Sequence, residues 1–271
     1  MPPKNSPVTR SAADAVPHPA DLSSRTWAEV RAQAYDLAVL PWGATEPHNH
    51  HLPYGTDTIL AARLALDAAT RAWDQGARVT VLPAIPFGAN AMQLGLGPVI
   101  DLRPSTQALV LRDVVRSLEA AGIRRLVLVN GHGGNGFRPI LREIQGETDV
   151  FLSTVDWWRA APAADHFDAP GDHAGDLETS AMLHVRPDLV RPLAEAGDGA
   201  ERPFRVAGLR EGWAWAARDW RQMTADTGVG DPRAATAAKG AAFVDAATAR
   251  LAALFAELAA LDPDDPYEPA P

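Results

Sequence analysis

Residues 37–57 read LAVLPWGATEPHNHHLPYGTD. The first seven form a compact apolar run closed by proline and glycine, the pattern of a short strand buried on both faces. The loop that follows crowds Glu46, His48, His50, His51 and Asp57 together, and Asp57 opens an apolar-periodic helix over 57–73 through Ile59, Leu60, Leu64 and Leu66. A buried strand that passes through a polar loop into a helix is the opening of a βαβ unit.

The same pattern recurs downstream. RVTVLPAIPFG, residues 78–88, reads as a second strand running into a Pro/Gly loop. Residues 105–121 read as a helix with Leu111, Val114, Val115 and Leu118 on one face and Gly122 at its stop. RRLVLVNGHGGN, 124–135, is a third strand ending in a glycine-rich turn, followed by an amphipathic helix through Phe137, Ile140, Leu141 and Ile144. DVFLSTVDWW, 149–158, supplies a fourth strand. Strands alternating with helices predict an α/β fold, a three-layer α/β/α sandwich around a mostly parallel central sheet. A helical turn is expected over 27–34, and Asp231 with Pro232 is expected to start a long Ala-rich helix reaching about residue 261. The expected organisation is a flexible N-terminal arm over 1–24, one domain over 25–261 and a loose tail over 262–271.

Composition narrows the function classes. The 271 residues are 46% apolar and 22% charged, enough to bury a core. The net charge of -9, with no run of Lys or Arg, argues against nucleic acid as a partner. No cysteine is present, which excludes disulfides, thiolate metal sites and a cysteine nucleophile. Any metal must therefore use His, Asp, Glu or water. Without a signal-like segment or an apolar run of ~18 residues, a cytoplasmic location and no membrane association are expected.

The polar clusters fall where this reading puts the carboxyl ends of strands, and there parallel sheets bind ligands. Glu46 and His48 are two apart in extended backbone and share a face. Asp57 returns at the next helix start, His132 lies two residues past the third strand, and His173 and Glu178 flank another helix start in GDHAGDLETSAML. Singly, Asp57 reads as a helix cap, Glu178 as a first-turn dipole partner and His132 as a turn residue. Together they form an oxygen and nitrogen donor set suited to Zn, Mn, Fe or Co, too large for one zinc, and a carboxylate bridging two ions accounts for the excess of acids.

Four stretches, GATEPHNHHLPYGTD, VNGHGGN, HAGDLETS and TGVGDPRAATAAKG, stand in the order and approximate spacing of the creatininase (creatinine amidohydrolase) family, which this sequence resembles from about residue 37 to about 239. The resemblance implies an α/β/α fold, two divalent ions per chain, with zinc favoured and manganese or iron as alternatives, hydrolysis of C–N amide bonds in small molecules, and a homohexamer built as a trimer of dimers. It implies Glu46 and His132 on one metal, His48 on the other, Asp57 bridging and His173 as the catalytic histidine. The namesake enzyme carries a glutamate ligand where this sequence has Gly134; in members with glycine there, a residue that Glu178 resembles completes the site. Two departures bear on the pocket wall: the usual E-Q-H-G is here Glu46-Pro47-His48-Asn49, and Asp176 stands where Glu is common.

The expected mechanism is attack by a metal-activated hydroxide on a carbonyl, with His173 shuttling a proton to the leaving nitrogen. The expected substrate is a small cyclic amide. Alternatives are a formamido-pyrimidine, for which Arg103 and Arg138 are the nearby cations to test, a peptide, a cyclic polyol ketone, or a non-enzymatic metal-stabilised oligomer. His50 and His51 are expected in a surface loop or subunit contact, and Asn135 is expected to cap the next helix. One of Trp157 and Trp158 should be core, and Trp213, Trp215 and Trp220 should form an interface or a lid.

Overall fold

The computed structural model describes residues 18–268. Four strands, β1 (Leu37–Trp42), β2 (Val79–Val81), β3 (Arg125–Asn130) and β4 (Phe151–Asp156), form one sheet of order β2-β1-β3-β4. Every pairing is parallel, with Val39 opposite both Val81 and Val127, and Leu128 opposite Thr154. The helices are α1 (Trp27–Val30), α2 (Thr56–Asp74), α3 (Pro104–Ala120), α4 (Phe137–Ile144), α5 (Asp176–Val185), α6 (Ala207–Arg210), α7 (Trp220–Met223) and α8 (Ala237–Ala260).

The period-2 alternation of the strands explains the three layers. Leu37, Val39, Val127 and Val129 point to one face and pack with Leu60 and Leu64 of α2 and Phe243, Leu251 and Phe255 of α8. Their neighbours Ala38, Leu40, Trp42, Leu126 and Leu128 point to the other face, against Leu111 and Val115 of α3 and Phe137, Ile140 and Ile144 of α4. Both faces of the sheet are therefore covered, as the unbroken apolar strands require. Truncating a fully buried side chain such as Trp42 to Ala costs about 3–5 kcal/mol.

Four boundaries differ from the sequence expectation. The expected arm ends earlier than residue 24, because Ala20 is buried and its carbonyl accepts from Val81 N at 2.7 Å, which extends the β2 edge; residues 1–17 lie outside the described residues. The first helix is only α1, closed at its start by Thr26 and Glu29. Asp231 caps a single 3-10 turn, accepting from Arg233 N, and α8 starts afresh at Ala237 with Thr236 as its cap. Ala235 is extended between them and separates the two. At the other end, Asp264 of the expected tail pairs with Arg124 at 2.6 Å, and residues 269–271 lie outside the description. No helix among the described residues is long and apolar enough to cross a membrane.

Candidate metal centre

All the strands run the same way, so the loops that follow β1, β3 and β4 open at one edge. Glu46 and His48 leave β1, and Asp57 lies in the first turn of α2 behind Gly55, so it is not the cap of that helix. His132 stands two residues past β3, His173 is held against Val229 by an isolated antiparallel bridge, and Glu178 lies in the first turn of α5. The structure brings all six together. Glu46, His48, Asp57, His132 and His173 are buried and Glu178 is partly exposed.

The three imidazoles share one arrangement. Nδ1 of His48 lies 3.0 Å from the Glu46 carbonyl, Nε2 of His132 lies 3.2 Å from the Ala89 carbonyl and Nε2 of His173 lies 2.9 Å from the Pro47 carbonyl. A carbonyl can only accept, so each of these nitrogens carries the proton and the opposite nitrogen turns inward. Inward, His48 Nε2 meets Asp57 Oδ1 at 2.9 Å, and His132 Nδ1 meets Glu46 Oε1 at 2.9 Å and Asp57 Oδ2 at 3.2 Å. His173 Nδ1 lies 3.7 Å from Glu46 Oε1. Asp57 thus offers one oxygen to each of two imidazoles. Two of these inward oxygens, Glu46 Oε1 and Asp57 Oδ2, are buried and, beyond the charge contact with His132 Nδ1, have no hydrogen-bond partner.

Donor atoms close enough to share an ion fall into three overlapping groups: Glu46, Asp57 and His132; His48, Asp57 and Glu178; and Glu46, His48 and His173. The orphaned oxygens and the inward nitrogens fit a divalent cation, because unpaired buried carboxylate oxygens are costly unless something positive meets them. Burial opposes protonation of His48, but the Asp57 carboxylate outweighs it and, with Glu178 and Glu46, raises its pKa to about 10. Burial likewise opposes charge on His132, and Glu46 and Asp57 overcome it. Asp57 itself is held well below the carboxylate range by His48 and His132 despite burial, whereas burial raises Glu178.

The ligand loops are packed backbone against backbone. A Cβ on Gly131 would lie 2.5 Å from the Asp57 carbonyl, and one on Gly134 would lie 2.3 Å from His132 Nε2 and 2.5 Å from the Ala89 carbonyl. Asn49 has φ 54°, a left-handed conformation that Asn tolerates, which explains how it stands where glycine is usual. Asp176 is buried, pairs with Lys239 of α8 and accepts from Ser180 Oγ at 2.9 Å, fixing the start of the helix that carries Glu178.

Other sequence expectations change. His50 is exposed, but His51 is buried, its Nε2 2.8 Å from Thr179 Oγ1, because it plugs the loop onto α5. Asn135 does not cap α4: its amide donates to Asn130 Oδ1 and the Gly43 carbonyl, and its oxygen accepts from Ala89 N and Gln107, stitching three loops. Trp157 is core, while Trp158 lines a cavity of about 610 Å³ over the donor cluster together with Trp215, Trp220, Arg103 and Arg218. Trp220 is buried edge-on against the His173 ring at 4.9 Å, whereas Trp213 and Trp215 are 77% and 86% exposed. Sequence reading missed Gln93, whose amide donates to Glu46 Oε2 from a 3-10 turn. It sits in ANAMQLGLG, a loop without an acidic or imidazole signal.

A parallel sheet whose carboxyl edge gathers buried carboxylates and inward-facing imidazoles defines a class, the metal-dependent α/β hydrolases. The family model described as creatinine amidohydrolase matches residues 23–255, and the chain belongs to the creatininase family, hydrolases that act on C–N bonds. A crystal structure from Bacteroides fragilis NCTC 9343, assigned as a creatinine amidohydrolase, is 44% identical with a TM-score of 0.87 over 91% of this chain and 99% of its own. The mycofactocin precursor peptide peptidase of Mycobacterium tuberculosis strain CDC 1551 is 32% identical over 88% of this chain and 92% of its own length. The creatinine amidohydrolase of Pseudomonas putida is 33% identical over 61% of this chain and 71% of its own.

Proposed function

We propose that the chain is a dinuclear metal amidohydrolase that cleaves a C–N bond of a small cyclic amide or a related compound. The observation that carries this is the shared tether of the three histidines, each with one nitrogen fixed on a backbone carbonyl and the other aimed at Glu46 or Asp57. In this reading Glu46 and His132 would hold one divalent ion, His48 and Glu178 the other, and Asp57, which belongs to both donor groups, would be shared between them. Zinc suits this nitrogen and oxygen set, with manganese or iron as alternatives. Bound divalent ions supply Lewis acidity: they polarise a carbonyl and let water deprotonate near neutral pH.

The chain's own groups do the rest. His173, locked by Pro47 with Nδ1 turned toward Glu46, accepts the proton of the attacking water and returns it to the leaving nitrogen. Trp220 holds that ring in place, and Trp158 and Trp220 line the cavity beside it. Gln93 fixes Glu46 through the oxygen that does not face His132. The reading includes assembly as a homohexamer, which light scattering checks.

Metal analysis of purified protein should give close to two ions per chain. Folded protein that stays metal-free after loading with Zn or Mn would sink the proposal. A hydrolysis screen across cyclic ureides, lactams, formamido-pyrimidines and short peptides then defines the substrate. Peptide cleavage is the second reading, favoured by the fuller coverage of the mycofactocin precursor peptide peptidase and by a cavity rim that the exposed Trp215 leaves open. Turnover of peptides without turnover of cyclic amides selects it.

A further inference from the structure

A second cavity of about 310 Å³ adjoins the first, and the two share Asn135, Asp156 and Arg159 in their walls. It lies at the carboxyl end of β4, where α4 begins, and is lined further by Arg138, Thr154 and the backbone of Gly136 and Phe137. Its charges are poorly matched. Other arginines of this acidic chain pair closely, as Arg112, Arg124 and Arg233 do at 2.5–2.7 Å. Among the described residues Arg138 has no carboxylate partner, and Arg159 has only Asp156 Oδ2 at 3.9 Å. Asp156 is itself engaged, since its Oδ1 accepts from Asn130 Nδ2 at 2.9 Å.

Thr154, in the wall of this cavity, has a buried Oγ1 without a hydrogen-bond partner, a cost of about 1–3 kcal/mol for a hydroxyl. Gly136, at the cap position of α4, offers no side chain to the first-turn N–H groups, and Pro139 follows in that turn without an N–H of its own. Two guanidiniums in the wall of one pocket suit a group that only accepts hydrogen bonds and carries negative charge.

We propose that this side cavity is an anion subsite, which holds a carboxylate or phosphate on the arm of the substrate whose amide lies in the neighbouring metal cavity. The inference rests on the reading of that cavity as the place of C–N cleavage, and it narrows the substrate class. Amides with an acidic arm fit, whether a ring substituent or the carboxylate end of a peptide. Unsubstituted neutral rings leave Arg138 and Arg159 without a partner.

The test is calorimetric titration of the metal-loaded protein with inorganic phosphate, with succinate and with neutral succinamide, on wild type, Arg138→Gln and Arg159→Gln. Both arginines are exposed, so the variants should fold. The expected result is binding of at least one anion but not of succinamide, weakened about tenfold or more by either substitution. Tighter phosphate binding assigns a phosphorylated arm, and tighter succinate binding a carboxylate. Failure of both anions to bind, or binding that both variants retain in full and that therefore sits elsewhere, overturns the proposal. Metal content of the same samples is read separately. Arginine-dependent anion binding by protein that holds no metal would refute the two-metal reading and leave the subsite standing.

Discussion

His48 and His51 stand three residues apart in one loop and are equally closed off from solvent, yet their acid–base characters are opposite. Burial lowers His51 to about 4, and the nearby His48 and His50 push the same way. Burial also disfavours charge on His48, but Asp57 within 2.9 Å reverses the outcome and lifts it to about 10. The packing side of the loop thus keeps a neutral imidazole bonded to Thr179, while the sheet-edge side keeps one surrounded by carboxylates. The number of histidines says little about function here; the groups facing each ring say most of it.

The contrast can be broken residue by residue. The largest effect belongs to Asp57→Asn, which removes the oxygen charge that both inward imidazoles face: both ions and all turnover above background should be lost, read by elemental analysis and rate. An active variant that retains two ions refutes the bridging role. His173→Ala should keep the metals while kcat falls by ~10²–10⁴, the range of a lost proton carrier. Metal loss instead recasts His173 as a ligand, which its place in a donor group with Glu46 and His48 allows.

Gln93→Leu should weaken metal affinity by ~10–100-fold through Glu46 alone, measured by chelator competition. Loading metal at pH 7 should also release protons, because Asp57 and its neighbouring carboxylates favour the charged form of His48 and an imidazole must be neutral to bind a metal. Calorimetry in two buffers of different ionisation enthalpy reads that release, and a buffer-independent heat would contradict it.

The smallest effect is on His51. His51→Gln should leave metal content and turnover unchanged and cost about 1–3 kcal/mol of stability. The folded pKa of about 4 lies below the ~6.5 of an unfolded histidine, so the unfolded chain binds more protons between those values. The advantage of wild type over the variant, measured by denaturant unfolding of metal-stripped protein, is therefore full above about pH 6.5 and shrinks toward pH 4. An advantage that is constant across that window shows that His51 is not held neutral.

Much of this was legible in the sequence, and the failures have a common cause. The strands and their order in the chain followed from unbroken apolar runs, and the donor residues from their position after each run. The sheet order β2-β1-β3-β4 was not readable, because parallel partners carry no local pairing signal. The two cavities depend on that order, since it sets Arg159 after β4 beside Asn135 after β3. Local rules failed where tertiary bonds overrode them. Asn135 has the residue type of a cap but spends its amide on other loops, and the Asp231-Pro232 signal was real but closed one turn only. Gln93 left no trace, since a neutral amide in a glycine-rich loop looks like any other.

The tight approach at Gly134 bears on how such sites can diverge. A glutamate cannot be placed at this turn by one substitution, because any side chain meets the ring of His132 and the backbone of residue 89. A donor side chain at this turn would therefore require the backbone around residues 89 and 132 to shift first. The barrier at this turn is steric rather than chemical, and variants with a side chain at residue 134 should lose folding yield before they lose the donor set.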